Sequence, residues 1–294
     1  MTTYAVTGVT GPYGRLAVAA LRARGVEPGD IVAIARTPAK AADLADAGVV
    51  VRQGDYSRPE TLPAALAGVT TLLLVSGSEV GHRVAQHTAV IDAAKAAGVT
   101  RVVYTSAPHA DATTLALAPE HKATEDVLQA SGVDFTILRN GWYLENYTDA
   151  LGRYLDSGEI LGAGGDGRIA AATRADLAAA AAAVLTEAGH ENRVYELGGT
   201  PFTFAELAAT ITEVTGTPVV YRDLTVEEFA TALRSSGMDA DTASFVASLD
   251  GSIALGELDT DSGDLQRLIG RPSTSPADAV RLACQGLSTG AAGA

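Results

Sequence analysis

Three glycines spaced Gly8-x-x-Gly11-x-x-Gly14 are the first residues in this 294-residue chain whose type and spacing could do chemistry. They follow the apolar run Tyr4-Ala5-Val6 and lead into Leu16, Ala19, Ala20 and Ala23, which recur at helical spacing. Strand, tight turn and helix in that order make a dinucleotide-binding turn. Glycine lets the backbone approach a diphosphate, and the helix beyond offers unpaired N–H groups and the positive end of its dipole.

The end of the second strand selects the dinucleotide. NAD enzymes place an acid there, about 20 residues beyond the glycines, to bind the ribose hydroxyls. This chain has Arg36, with Lys40 one helical turn further on. Two cations suit a 2′-phosphate that an acid would repel, so the expected cofactor is NADPH. At the third strand end, Asp55 can accept from the adenine amino group and the Tyr56 N–H can reach the ring. Ser76-Gly77-Ser78 follows the fourth strand, where the nicotinamide ribose passes, although Ser78 ahead of Glu79 also reads as a helix cap.

These residues need a scaffold of alternating strands and helices, and the pattern supplies one. Strands are expected at Asp30–Ala35, Val49–Val51, Thr71–Val75, Arg101–Thr105 and Phe135–Leu138, with helices at Pro38–Asp46, Pro59–Ala67 and Glu79–Ala97 between them. Continuous apolar strands of this kind belong to a parallel sheet covered on both faces, so the expected class is α/β with a doubly wound sheet. Residues 1–145 form the dinucleotide-binding domain in this reading. Residues 146–294 form a smaller C-terminal α+β domain on the substrate side, with about 167–190 returning to the sheet. Trp142–Asp156 has a helical pattern, Thr173 caps an alanine-rich helix through Glu187, and Thr203 caps Phe204–Thr215. Helices are expected at Val226–Ser235 and Ala240–Leu249. The acidic segment Asp250–Asp264 reads as a surface loop or a lid, and the tail Gly286–Ala294 as disordered.

Composition excludes several classes. A net charge of −14 argues against nucleic acid or an anionic membrane as partner. Residues 1–110 hold 10 Lys/Arg against 8 Asp/Glu, so the acidity lies in the later chain and the anionic dinucleotide falls on the balanced part. No run approaches the roughly 20 apolar residues of a membrane span, and the start lacks a signal pattern, so a cytoplasmic location is expected. One cysteine, Cys284, rules out an intramolecular disulfide. No metal site is expected: His82 and His87 are five apart, off a common helix face, and His109 lacks ligand spacing. An exposed helix pair leaves a homodimer open.

Taken together, Gly8 to Gly14, Arg36-Thr-Pro-Ala-Lys40, Arg52-Gln-Gly-Asp55-Tyr56, Ser76-Gly-Ser-Glu-Val-Gly81, Tyr104-Thr-Ser106 and above all Asn140-Gly-Trp-Tyr-Leu-Glu-Asn146 resemble the type 2 NAD(P)H:quinone oxidoreductases. These belong to the NmrA-like group of atypical short-chain dehydrogenases/reductases. The likeness continues through Thr173-Arg-Ala-Asp176 and Val194-Tyr-Glu-Leu197 to Leu268-Ile-Gly270. The resemblance implies hydride transfer from NADPH to a quinone in a cleft between a Rossmann domain and the smaller domain. It carries cofactor contacts over to Gly8, Thr10, Gly11, Pro12, Tyr13, Gly14, Arg36, Asp55, Tyr56 and Ser76, and further to Gly77, Ser106, Asn140 and Trp142.

One departure bears on mechanism. Better-known dehydrogenases of the superfamily use a Tyr-x-x-x-Lys pair on the helix after the fifth strand, the lysine lowering the pKa of a proton-donating phenol. Here Leu117 and His121 stand at those positions, and Lys122 is one residue out of register. Quinone reduction tolerates that loss, because the carbonyl is already electrophilic and positioning supplies much of the rate. The candidate catalytic residues are His121, Tyr143 and Asn140. Trp142 and Tyr143 offer flat surfaces to a planar quinone, or pack the seam between domains. Two other functions share the glycine turn: a non-catalytic NADP(H)-binding redox sensor, and a reductase or isomerase of another planar carbonyl substrate.

Overall fold

Each apolar strand needs cover above and below, and the helices between the strands supply it. The structure is a computed structural model that describes residues 2–291. Its strands are β1 (Tyr4–Val6), β2 (Ile31–Ala35), β3 (Val50–Gln53), β4 (Thr71–Leu74), β5 (Arg101–Ser106), β6 (Asp134–Asn140), β7 (Glu159–Gly162), β8 (Arg193–Leu197) and β9 (Val220–Asp223). Seven of them form one parallel sheet in the order β3-β2-β1-β4-β5-β6-β8, and β7 pairs with β9 in a second, two-stranded sheet. The order reverses between β1 and β4, which opens a crevice at the carboxyl ends of the strands.

The first helices are α1 (Pro12–Ala23), α2 (Ala42–Asp46), α3 (Leu62–Leu66), α4 (Arg83–Ala96) and α5 (Ala118–Ala130). They are followed by α6 (Glu145–Thr148), α7 (Leu151–Ser157) and α8 (Arg174–Thr186). One face of the sheet is covered by α1 and α8, whose Val18, Leu21, Ala178 and Ala181 are buried together. Alanine on α8 lets the two helices approach closely. On the other face, Leu66, Ile91 and Leu128 of α3, α4 and α5 pack over Val32, Leu72 and Val102. The Thr173 side chain accepts from the Asp176 N–H and caps α8. Asp176 itself is buried and accepts from Arg271 Nη2 at 2.6 Å and the Thr274 N–H at 2.7 Å, so it ties the late chain to this helix.

The remaining helices are α9 (Phe204–Thr215), α10 (Val226–Ser235), α11 (Ala240–Ala254), α12 (Asp264–Ile269) and α13 (Pro276–Ala291). Reciprocal capping boxes, Thr203 with Glu206 and Thr225 with Glu228, start α9 and α10. A separate core gathers Tyr147, Ile160, Phe202, Phe204, Ile211 and Ile253 around the small sheet.

Four boundaries differ from the sequence pattern. Helix α4 begins at Arg83, and residues 79–82 are loop around Gly81, whose φ is +85°. The helical pattern from Trp142 divides into α6 and α7. The α11 helix runs to Ala254, into the segment expected to be a loop, because Asp250 and Ile253 are buried on its inner face. The tail expected to be disordered continues α13 through Ala291; residues 292–294 lie outside the described part. Among the described residues no helix is long and apolar enough to cross a membrane, and no cluster of ligands could hold a metal.

Candidate active site

The turn between β1 and α1 forms the floor of a cleft of about 490 Å³ at the carboxyl edge of the sheet. Gly8 has φ +64°, a left-handed conformation that glycine adopts without strain. A Cβ on Gly14 would lie 2.5 Å from the Gly8 carbonyl oxygen, so only glycine lets α1 start this close to the turn. No side chain caps α1 and no acid lies in its first turn. Its first N–H groups and its positive dipole end are therefore available to an anion.

The ends of the neighbouring strands complete the cleft. Gly8, Thr10, Gly11, Pro12, Tyr13, Gly14, Arg36, Asp55, Tyr56, Ser76 and Gly77, all expected cofactor contacts, line it together. The Tyr56 hydroxyl donates to the Val75 carbonyl at 2.9 Å and lies 2.5 Å from Thr7 Oγ1, which locks its ring against the strand ends. Asp55 accepts from the Ser57 N–H and hydroxyl, and these bonds hold its carboxyl below the usual range against an opposing burial effect. The Ser76 N–H donates to Thr105 Oγ1, and the Gly77 N–H donates to His87 Nε2. His87 is pushed down to about 3 by burial and by Arg83, so it stays neutral and keeps an acceptor nitrogen for Gly77.

Other expected residues lie elsewhere. Lys40 is exposed outside the cleft lining; the turn that carries it is held by Arg15, which donates to the Lys40 carbonyl. Ser106 turns from the cleft to donate to the buried Glu125 at 2.6 Å, where Arg139 balances the carboxylate. Trp142, in the segment after β6, faces the smaller core while Tyr143 lines the cleft. His121 does not reach the cleft either. It is buried beneath the sheet edge, its Nδ1 hydrogen-bonded to Tyr104 at 2.8 Å, and burial pushes it down to about 3. Its imidazole is therefore neutral at neutral pH, packed against Tyr104 and outside the cleft lining. Lys122, out of register as the spacing implied, pairs with Asp126 on the outer face of α5.

Tyr143 lines the cleft, with the Arg174 guanidinium 4.7 Å over its ring. Asn140, at the end of β6, is buried beside the Tyr13 and Tyr143 hydroxyls. The amide lies close enough to favour both phenolates slightly. No contact meets hydrogen-bond geometry, however, and both amide atoms lack a partner within the described structure. A buried, unpaired carboxamide is costly unless a ligand completes it. Burial raises both phenols, so they hold their protons at neutral pH.

Two charged lining residues had no role in the sequence reading. Glu79 sits in the loop before α4, 3.3 Å from Arg36 across the mouth of the cleft. Its place was hidden because the helical pattern runs through it in the sequence. Arg174 follows the Thr173 cap and pairs with Glu145 and Asp149 at 3.8 Å. The Thr-Arg-Ala-Asp string was its only sequence signal.

Comparison with known proteins agrees with this geometry. Residues 8–188 match the NAD(P)H-binding family. The chain is 49% identical over 277 residues to quinone oxidoreductase 2 of Escherichia coli (strain K12), covering 94% of this chain and 96% of that protein. The crystal structure of the NADPH-dependent quinone oxidoreductase of Escherichia coli complexed with NADPH superposes with a TM-score of 0.92 at 48% identity, covering 95% of this chain and 99% of that one. The Citrobacter sp. triphenylmethane reductase complexed with NADP(H) gives a TM-score of 0.92 at 39% identity, over 96% and 100% of the two chains. The chain thus belongs to the NAD(P)H-binding family, in the NmrA-like group of reductases that includes the type 2 quinone oxidoreductases.

Proposed function

We propose that this protein reduces quinones with NADPH in the cleft at the end of the parallel sheet. The observation that carries the reading is the orphaned Asn140 carboxamide, buried beside Tyr13 and Tyr143 in the wall of a cleft that also holds an uncapped helix terminus and Arg36. The residues present fit the cofactor: backbone N–H groups of α1 for the diphosphate, Arg36 for the 2′-phosphate, and Asp55 with the Tyr56 N–H for the adenine. Bound there, NADPH supplies a hydride.

The chain's own groups position and polarise. The Asn140 amide can donate to a carbonyl oxygen as negative charge develops on it, and a fixed donor in a buried site needs no reorganisation at that moment. Tyr143, held from above by Arg174, offers a flat wall for a planar ring. The raised phenols of Tyr13 and Tyr143 act as hydrogen-bond donors rather than as acids. The proton that completes the hydroquinone comes from water, consistent with the missing Tyr-Lys pair. In this reading residues 1–145 are the cofactor body and 146–294 the substrate-side body, with about 167–190 returning to the first.

The test is NADPH oxidation by the purified protein, followed by near-ultraviolet absorbance with and without a panel of quinones, with NADH in parallel. Quinone-dependent oxidation with NADPH preferred is expected. Tight NADPH binding without oxidation by any acceptor would replace the enzyme with a redox sensor.

A further inference from the structure

A second cavity, of about 570 Å³, lies in the smaller domain between α7, β7, α10 and α11. It shares no lining residue with the cofactor cleft. The strap from Trp142 to Asn146 divides the two, and Arg174 Nη2 on the cleft side donates to Asn146 Oδ1 on the cavity side at 3.3 Å. The wall is strongly aromatic. Of the one Trp, nine Tyr and five Phe in the chain, six side chains line this cavity: Trp142, Tyr147, Tyr154, Phe204, Phe229 and Phe245.

One charge stands in that wall without a counter-ion. Asp250 is 9% exposed on α11 and accepts from the Ala163 N–H at 2.9 Å through one oxygen. No cation pairs with it among the described residues. The charged and titratable groups around it do not neutralise it. Asp223 on β9 adds negative charge, the Tyr147 and Tyr154 phenols are neutral, Glu159 at the rim lies 3.9 Å from Arg222, and Arg153 stacks 5.6 Å from the Tyr154 ring centre. Burial first and Asp223 second push the Asp250 carboxyl up to about 6, so it is ionised at neutral pH at a cost. The Tyr147 hydroxyl in the same wall is buried without a partner in the described structure.

Aromatic faces carry negative quadrupoles, and a desolvated carboxylate needs a cation. A neutral quinone could stack on the rings but would leave the carboxylate without a cation. We propose that this cavity is a second ligand site, which binds a planar aromatic cation with its charge beside Asp250 and its rings against the aromatic wall. The site goes beyond quinone reduction and does not depend on it. The aromatic walls enclose the rings, and the excess negative charge of the domain draws the ligand in.

The experiment is a fluorescence titration of the full-length protein at pH 8 with 10-methylacridinium and, separately, with uncharged acridine, which has the same ring system. The cation is expected to bind about tenfold more tightly than acridine. Asp250→Asn should abolish that preference while keeping or raising the thermal midpoint, because it removes a buried charge. Ala232→Trp, a partly exposed lining position on α10, should fill the cavity and weaken both probes. Saturating NADP⁺ should leave both titrations unchanged. Equal affinity for the two probes, binding of neither, a preference that survives in Asp250→Asn, unaltered binding to Ala232→Trp, or displacement by NADP⁺ would each overturn the proposal.

Discussion

The cofactor cleft and the aromatic cavity stand on either side of one short strap, and they are built in opposite ways. The cleft is assembled from the ends of strands that lie side by side in one parallel sheet, so each contributes a residue or two at a fixed depth. Its diphosphate end is carried by backbone, and its glycines are set by close approach. The cavity draws on segments from Trp142 to Ile253 that meet only because helices pack around β7 and β9. Its chemistry is carried by side chains. A backbone site depends on a few glycines and tolerates change elsewhere. A side-chain site depends on packing and on the one charge that packing strands.

That contrast can be broken at several points. Gly14→Ala puts a Cβ against the backbone atoms of Gly8 and Val9, none of which can swing aside. It should cost about 3 kcal/mol of unfolding free energy by denaturant titration, with loss of NADPH binding. Asp250→Asn should act in the other direction. Burial pushes the folded carboxyl up to about 6 from the usual 3.8, so its cost is absent below the lower value, grows between the two and is complete above the higher. The substitution should stabilise the protein by on the order of 2 kcal/mol at pH 8, and the gain should vanish by about pH 4.

Arg36→Ala tests the side chain that would select the phosphorylated ribose. NADPH affinity measured by calorimetry should fall about tenfold while NADH affinity holds. Glu79→Gln removes the carboxylate that shares Arg36, and should tighten NADPH about twofold, since exposed ion pairs are weak. His121→Ala should leave quinone turnover unchanged, because the imidazole serves Tyr104 and not the cleft.

Legibility followed the same division. The strands and the doubly wound class were readable because apolar runs and helical spacing alternate without interruption, and the glycine turn was readable because diphosphate binding demands local backbone geometry. Arg36 was found by its position at a strand end. Trp142 and Tyr143 could not be told apart, since neighbours on an extended segment face opposite ways and spacing alone does not say which side holds the ligand. His121 stood at the position of a catalytic lysine, yet α5 turns it beneath the sheet edge. Glu79 was hidden by a helical pattern that Gly81 interrupts.

The sequence by itself determined the α/β class, the dinucleotide turn and its preference for a phosphorylated ribose, because those follow from local periodicity, glycine and one charge at a strand end. Only the tertiary structure decided which side chains face the cleft, that Asn140 is left without a partner, and that Asp250 lies unpaired among aromatic rings. Burial and orientation depend on how distant segments pack, and no local pattern encodes them.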